Sequence, residues 1–380
     1  MLTEFTDEAL ARLLGREGAP KVPEEMLRSV SGKTVLVTGA GGSIGSELCR
    51  QILGAGPKAI VMLDAGEAAL FYIDEELRQR CRAEGLTVSL VPLLGSITDA
   101  ERLDAIFARF PVDMVFHAAA YKHVPLVELN FSEAIRNNVI GTETVIRAAM
   151  RHRVRSFVLL STDKAAEPVS IMGTSKRLAE LLVVAHAASA DCVLSVVRFG
   201  NVFASSGSLV PVILRQVARG GPVTVTSPLA TRFFMTTAEA AQLVIAVAGL
   251  GSRGGLFVFE MGEPVRIDTL VRKLIAARGL TVKDESRPGG DVELIYTGLR
   301  PGERLEEVAI PRSSLRATPH PKIYEVRQPP MAALSPDELV RTAAAAAREA
   351  TAERAMTLMQ STLARAQGRA EAETEEVGMA

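Results

Sequence analysis

The stretch that most constrains this chain is Thr38-Gly39-Ala40-Gly41-Gly42-Ser43-Ile44-Gly45. It follows the apolar, β-rich run TVLVTG (34–39) and opens a helical pattern from Ser43 to Leu53. A glycine triplet alone means little. Between a strand and a helix start it has a physical purpose. Gly39, Gly42 and Gly45 remove Cβ atoms, so backbone can approach a pyrophosphate. The helix start at Ser43 and Ile44 offers unbonded N–H groups and a positive dipole end. Asp64 ends the next apolar run, AIVMLD (59–64), 19 residues beyond Gly45. A carboxylate there is placed to bond the adenosine ribose hydroxyls, and Ala65-Gly66-Glu67 offers no arginine for a 2′-phosphate. The pattern predicts NAD rather than NADP as cofactor. The competing role for Asp64 is a helix N-cap.

The alternation continues along the chain. VSLVPLL (88–94), MVFHAAA (114–120), SFVLLST (156–162) and VLSVVRF (193–199) read as strands, with helical patterns at 66–84, 98–109, 132–152 and 173–189. Strands that are apolar throughout are covered on both faces. The expected class is α/β: a doubly wound parallel sheet of Rossmann type with a smaller C-terminal substrate lobe. We expect an NAD-binding domain over 33–200, with a later strand near 257–262. The substrate lobe is expected mainly over 201–330, where Gly and Pro become frequent and a helix occupies 267–279. Residues 1–32 read as a helical extension or linker, and 331–380 as a C-terminal helix and tail. The Ala-rich stretch 342–350 reads as a surface or interface helix.

Composition narrows the function. Of 380 residues, 48% are hydrophobic and 23% charged, enough for a large core and against global disorder. Lys+Arg at 43 against Asp+Glu at 44 leaves a net charge of -1, which gives no electrostatic case for nucleic-acid binding. Trp is absent and Tyr numbers 4, so a base-stacking platform is not expected. Cys49, Cys81 and Cys192 show no C-x-x-C spacing and read as reduced, buried thiols, with no metal site. The acidic start MLTEFTDEAL lacks the order of a signal peptide, and the apolar stretch 240–251 is too short to span a bilayer. These features lead us to expect a soluble, cytoplasmic chain.

The TGxxGxxG spacing of Thr38, Gly39, Gly42 and Gly45, with Asn138-x-x-Gly141-Thr142 and Ala118-Ala119-Ala120, resembles the extended short-chain dehydrogenase/reductases. The resemblance implies that Ala118, Ala119, Ala120 and Asn138 lie along the cofactor and that Ser96 and Ile97 contact adenine. A narrower likeness follows from HAAAYKHVPLVE (117–128), STDKAAEPVSIMGTSKR (161–177), RFGNVFASSGSLVP (198–211), TRFFMT (231–236) and GLRPGERLEE (298–307). These blocks resemble the membrane-type nucleotide-sugar 4,6-dehydratases of the CapD-like polysaccharide-biosynthesis branch, which act on UDP-N-acetylglucosamine. The likeness covers about residues 30–330. Many of that branch carry N-terminal membrane helices, so the chain resembles their catalytic part or a soluble form. A homo-oligomer is implied as well.

The implied reaction is an internal redox cycle. Hydride leaves C4 of the sugar, the resulting ketone acidifies the C5 proton, water departs across C5–C6, and hydride returns to C6. The likeness assigns Thr162 to the 4-oxygen, Asp163 to protonating the leaving hydroxyl, and Lys164 to the place of the usual carboxylate base. An amine serves as base only if its pKa falls, through desolvation or neighbouring positive charge. Lys176 is the lysine of the superfamily's Tyr-x-x-x-Lys and binds the nicotinamide ribose. The tyrosine position holds Met172, which transfers no proton, so the group acting on the 4-OH stays open among Lys176, Asp163 and a water relay. The Met form also implies retention at C5. Lys122 and His123 are implied near the sugar, and Asn201, Arg232, Arg300 and Glu303 are implied in binding the UDP moiety; guanidinium groups make paired bonds to phosphate oxygens. The rival readings are a nucleotide-sugar 4-epimerase or reductase, which normally use the missing Tyr, and a catalytically silent NAD-binding relative.

Overall fold

The computed structural model describes residue 9 and residues 28–203, 205, 207–284, 287–308, 310–328 and 334–368. Most of the expected 1–32 extension, and the tail beyond 368, lie outside the described residues. Arg28–Val30 forms one 3-10 turn.

The apolar runs become strands β1 (Thr34–Thr38), β2 (Ala59–Asp64), β3 (Ser89–Leu94), β4 (Met114–His117), β5 (Ser156–Thr162), β6 (Val193–Phe199) and β7 (Gly255–Phe259). Two short strands, β8 (Leu315–Ala317) and β9 (Ile323–Val326), complete a nine-stranded sheet of order β8-β9-β7-β6-β5-β4-β1-β2-β3. β1 pairs in parallel with both β2 and β4, and β6 with β7. β9 is antiparallel to β7, and β8 to β9. The strand order reverses beside β1. In such sheets ligands bind beyond the carboxyl ends of the strands at that reversal.

Helices α1 (Ser43–Gly54), α2 (Glu67–Glu84), α3 (Ala100–Arg109), α4 (Thr142–Arg151) and α5 (Ile171–Ala187) alternate with these strands. Local chemistry sets their ends. Asp99 accepts the Arg102 N–H to cap α3, Ser170 accepts the Gly173 N–H to cap α5, and left-handed Gly85 stops α2. The single helix expected over 132–152 is divided. Phe131–Ile135 is α-helical, Arg136–Gly141 is a π turn, and α4 follows. Gly141 faces Ile97, where a Cβ would stand 2.7 Å from the Ile97 Cδ1.

The chain divides into two compact units. The larger draws on Val22–Arg198, Ala241–Glu260 and Ile310–Ala380. Its main apolar cluster contains Leu36, Val61, Val115, Phe157 and Val196 from the sheet, with Val145 and Ile146 of α4 and Leu178 and Leu182 of α5. The C-terminal helices belong to that same cluster. After α6 (Leu209–Ala218), α7 (Thr237–Ala248) and α8 (Ile267–Ala276), α9 (Pro336–Ala346) and α10 (Ala352–Ala366) pack on α5 and on residues 131–141. Leu339, Ala343, Ala346 and Met359 are completely buried. The Ala-rich stretch therefore packs one face, Ala343, Ala346 and Ala347, into the core, while Ala345, Arg348 and Ala350 stay exposed. Burying Leu339 and Met359 contributes about 1.5–3 kcal/mol each. A capping box at Ser335 and Glu338 starts α9.

The smaller unit includes Phe199–Ala240 and Met261–Ala309. Its core is formed by Val210, Ile213 and Leu214 of α6, Leu270, Val271 and Leu274 of α8, and Val223, Val225 and Val292 from a three-stranded parallel sheet. Among the described residues no helix is long and apolar enough to cross a membrane.

Candidate active site

The glycine turn after β1 sits at the strand-order reversal. Gly39 has φ +68°, and a Cβ on it would stand 2.7 Å from the Ala119 nitrogen. A Cβ on Gly45 would collide with the Gly39 carbonyl oxygen, and one on Gly41 would lie 2.6 Å from the Ala69 Cβ. The turn therefore closes only with bare backbone. Gly42 caps α1 without any side-chain hydrogen bond, and Ser43 and Ile44 are half-buried behind it. Asp64 accepts the Gly41 N–H through Oδ2 at 2.8 Å and the Gly66 N–H through Oδ1 at 2.7 Å. Its carboxylate thus braces the turn and keeps lone pairs free for a hydroxyl. Ala118, Ala119 and Ala120 are half-buried beyond β4. Ile97 is buried, and the Ser96 hydroxyl bonds that of Thr98 at 2.8 Å. A bare-backbone cradle, an uncapped helix start and a strand-end carboxylate fit NAD.

Behind this cradle runs a chain of bonds with a fixed direction. Thr142 Oγ1 donates to the Asn138 carbonyl at 2.7 Å, so it accepts from His117 Nε2 at 3.0 Å. His117 Nδ1 is then an acceptor and takes the Thr38 hydroxyl at 2.7 Å. Burial pushes His117 down to about 3, so it stays neutral and structural. Asn138 is fully buried. Its Oδ1 accepts from Tyr121 N–H at 2.8 Å, and its Nδ2 donates to Tyr121 O at 3.0 Å and Ser175 Oγ at 3.1 Å. With Asn137 Nδ2 also bonded to Oδ1 at 3.1 Å, its amide is saturated. Asn138 holds the loop beside the cradle to α5, and direct contact with a cofactor would break one of these bonds.

The residues Ser161–Ala165 turn away from the end of β5. Thr162 Oγ1 donates to Asp163 Oδ1 at 2.9 Å, and Lys164 Nζ donates to the same oxygen at 3.0 Å. The Asp163 side chain is 8% exposed, and its Oδ2 is buried with no hydrogen-bond partner among the described residues. A bare buried carboxylate oxygen is costly and points to a group that arrives from outside. Gly173 lets α5 approach this turn: a Cβ there would stand 2.5 Å from the Lys164 carbonyl oxygen. Met172 is buried in the larger unit's apolar cluster. Lys176 is 5% exposed. Desolvation pulls its ammonium down to about 8, opposed by the Glu180 charge one turn further along α5.

Glu128 did not stand out in the sequence, yet its Oε1 accepts the Ile171 N–H at 2.8 Å and supplies a second cap to α5. Lys122 is exposed. His123 is half-buried, and burial followed by the Lys122 charge pushes its imidazole pKa down.

The four residues expected to bind UDP belong to the smaller unit and differ in what they do there. Arg232 is committed to its own fold. Its guanidinium donates to the carbonyls of Thr231 at 2.6 Å, Leu305 at 2.9 Å and Arg304 at 2.7 Å, and pairs with Glu307 at 3.2 Å. It staples residues 304–307, which leaves little of it for a phosphate. Glu303 Oε2 accepts the Arg300 N–H at 3.0 Å within a tight turn, and Arg300 is exposed. Asn201 pairs with Phe234 in a two-residue strand.

A family model described as polysaccharide biosynthesis protein matches residues 35–328. The chain is 41% identical over 322 residues to the probable polysaccharide biosynthesis protein EpsC of Bacillus subtilis (strain 168). That match covers 84% of this chain and 52% of EpsC, so the chain spans about half the length of this curated relative. Among solved structures, Pen from Bacillus thuringiensis is similar with a TM-score of 0.69 at 28% identity, covering 79% of this chain and 88% of Pen. MoeE5, solved in complex with UDP-glucose and NAD, is similar with a TM-score of 0.57 at 25% identity, covering 72% of this chain and 88% of MoeE5.

Proposed function

The chain belongs to the polysaccharide biosynthesis protein family, and from that premise we propose that it catalyses NAD-dependent 4,6-dehydration of UDP-N-acetylglucosamine with retention at C5. The observation that carries this reading is the Thr162–Asp163–Lys164 constellation, with its bare buried Asp163 Oδ2. Bound NAD supplies the acceptor and later the donor of the hydride. The remaining work is proton transfer, and the chain's own groups are arranged for it.

Moving one proton from Lys164 Nζ to the Asp163 carboxylate turns the ion pair into a neutral acid beside a neutral amine. The net charge of the two side chains is unchanged by the exchange. The amine then takes the C5 proton, and the carboxylic acid gives its proton to the departing C6 oxygen, which leaves as water. Lys164 ends this step as ammonium and Asp163 as carboxylate. As the hydride returns to C6 the Lys164 ammonium gives a proton to C5. The proton released from the 4-OH when hydride left C4, passed on through Lys176, Asp163 or a water relay, replaces it, so the original pair is restored. A general acid and a general base in contact complete the elimination without net gain or loss of protons. Once Asp163 carries the proton it can donate to Thr162 instead of accepting from it, which releases the single Thr162 hydroxyl hydrogen for the 4-oxygen. Lys176 brings a buried positive charge to the same helix that holds Met172 where the superfamily has its Tyr.

The test is mass spectrometry of UDP-N-acetylglucosamine incubated with the NAD-loaded protein in D2O. Loss of one water with one solvent deuteron at C5 is the expected result. Conversion to the 4-epimer at unchanged mass would move the activity to epimerisation.

A further inference from the structure

Glu180 lies on α5 one turn after Lys176 and is 1% exposed. A carboxylate that deep must be paired and bonded. Its Oε1 accepts the Ser161 hydroxyl at 2.6 Å and Arg198 Nε at 2.7 Å. Its Oε2 accepts Arg198 Nη2 at 2.5 Å and Arg177 Nη1 at 2.9 Å. Arg198, near the end of β6, is buried too, and its Nη2 also donates to the Ala165 carbonyl at 3.3 Å. Ser161 and Ala165 are the first and last residues of the turn that presents Thr162, Asp163 and Lys164.

We propose that Glu180 and Arg198 are a positioning pair for the reaction, gripping both ends of the Ser161–Ala165 turn and fixing where Thr162 and Asp163 point. The inference rests on the reading of that turn as the acting site. The bonds are directional and come from two elements, α5 and β6, so the turn has neither a free end to slide nor a free hydroxyl to rotate. Misplacing an acting group by about 1 Å costs on the order of a hundredfold in rate. Glu180 also opposes the loss of charge on Lys176, so one carboxylate serves both acting groups. A pair that merely fastened α5 to β6 would need no contact with Ser161 or Ala165.

Three variants test this. Ser161→Ala removes one grip and keeps the ion pair. Arg198→Lys keeps the charge and loses the link to Ala165. Each should lower kcat about tenfold or more, the value of one hydrogen bond. KM should stay within about twofold. Glu180→Gln should in addition lower the titration midpoint of Lys176, read by carbon-13 NMR of lysine-labelled protein, a measurement that needs no turnover. Wild-type kcat in both Ser161→Ala and Arg198→Lys, or an unmoved Lys176 midpoint in Glu180→Gln, would overturn the proposal. Should Glu180→Gln fail to fold, the other two variants decide. A responsive Lys176 in a protein that leaves UDP-N-acetylglucosamine unchanged would support Glu180's part and sink the proposed substrate instead.

Discussion

Gly45 packs so tightly on Gly39 that a methyl group on the first would overlap the carbonyl oxygen of the second. This contact seats the start of α1 on the glycine turn and leaves no slack for a side chain. Gly45→Ala should therefore move backbone rather than a rotamer. We expect a loss of about 1–3 kcal/mol in stability and NAD binding weaker by about tenfold or more, since about 1.4 kcal/mol is tenfold. The chain has no Trp, so isothermal calorimetry is the appropriate readout.

Asp163→Asn keeps the shape of the turn and removes the carboxylate to which both Thr162 and Lys164 donate. Turnover should fall by about 10²–10⁴, the usual contribution of a general acid or base. NAD affinity should stay unchanged. Full activity in this variant, measured as dehydrated product, would remove Asp163 from the chemistry.

Lys176 makes stability depend on pH in a direction opposite to that of a salt-bridged lysine. Its folded pKa lies at about 8, below the ordinary 10.5. Below about pH 8 both folded and unfolded chains hold the proton, and the folded state bears the whole cost of the buried charge. Between about 8 and 10.5 the unfolded chain binds more protons, so this contribution to stability rises with pH. A shift of this size corresponds to about 3 kcal/mol. Lys176→Met should therefore stabilise the ligand-free protein at pH 7 by up to that amount, with the advantage shrinking toward pH 10. Urea denaturation at the two pH values measures it, and an advantage that grows with pH would contradict the buried charge.

Arg232 and Arg300 should part company on mutation. Arg232→Ala removes a half-buried guanidinium that bonds the carbonyls of residues 231, 304 and 305 and pairs with Glu307, and should cost about 3–5 kcal/mol. Arg300→Ala should leave thermal stability within about 0.5 kcal/mol. If Arg300 contacts a phosphate, its loss should weaken UDP binding about tenfold or more, the scale of a charge-assisted bond. UDP calorimetry combined with thermal melts separates the two roles.

Much of the larger unit was legible because its signals are local. Runs such as AIVMLD and SFVLLST are apolar on both faces through their middle, with polar residues only at their ends, and the glycine turn carries its purpose in three residues. What the sequence hid depends on partners far along the chain. The strands LRA and IYEV are short and mixed in polarity, and they become strands only by pairing with β7 and each other. Alanines 343 and 346 look the same on a surface helix as in a core. Arg232 reads as a phosphate ligand until the carbonyls of residues 304 and 305 are seen around it. Glu180 and Arg198 left a faint trace: each is the one charge inside a mostly apolar stretch, LAELLVV and VLSVVRF, and neither drew attention without its partner.

The late position of α9 and α10 in the chain sets a timetable. A ribosome makes α5 first, then residues 188–335, and only then the helices that roof α5. At roughly 5–20 residues per second that interval lasts about 7–30 s. During it the surface of α5 that will meet Leu339, Ala343 and Met359 is bare. Helix α5 therefore waits for helices made later, and this face of it is open to chaperones and to aggregation while synthesis is still under way.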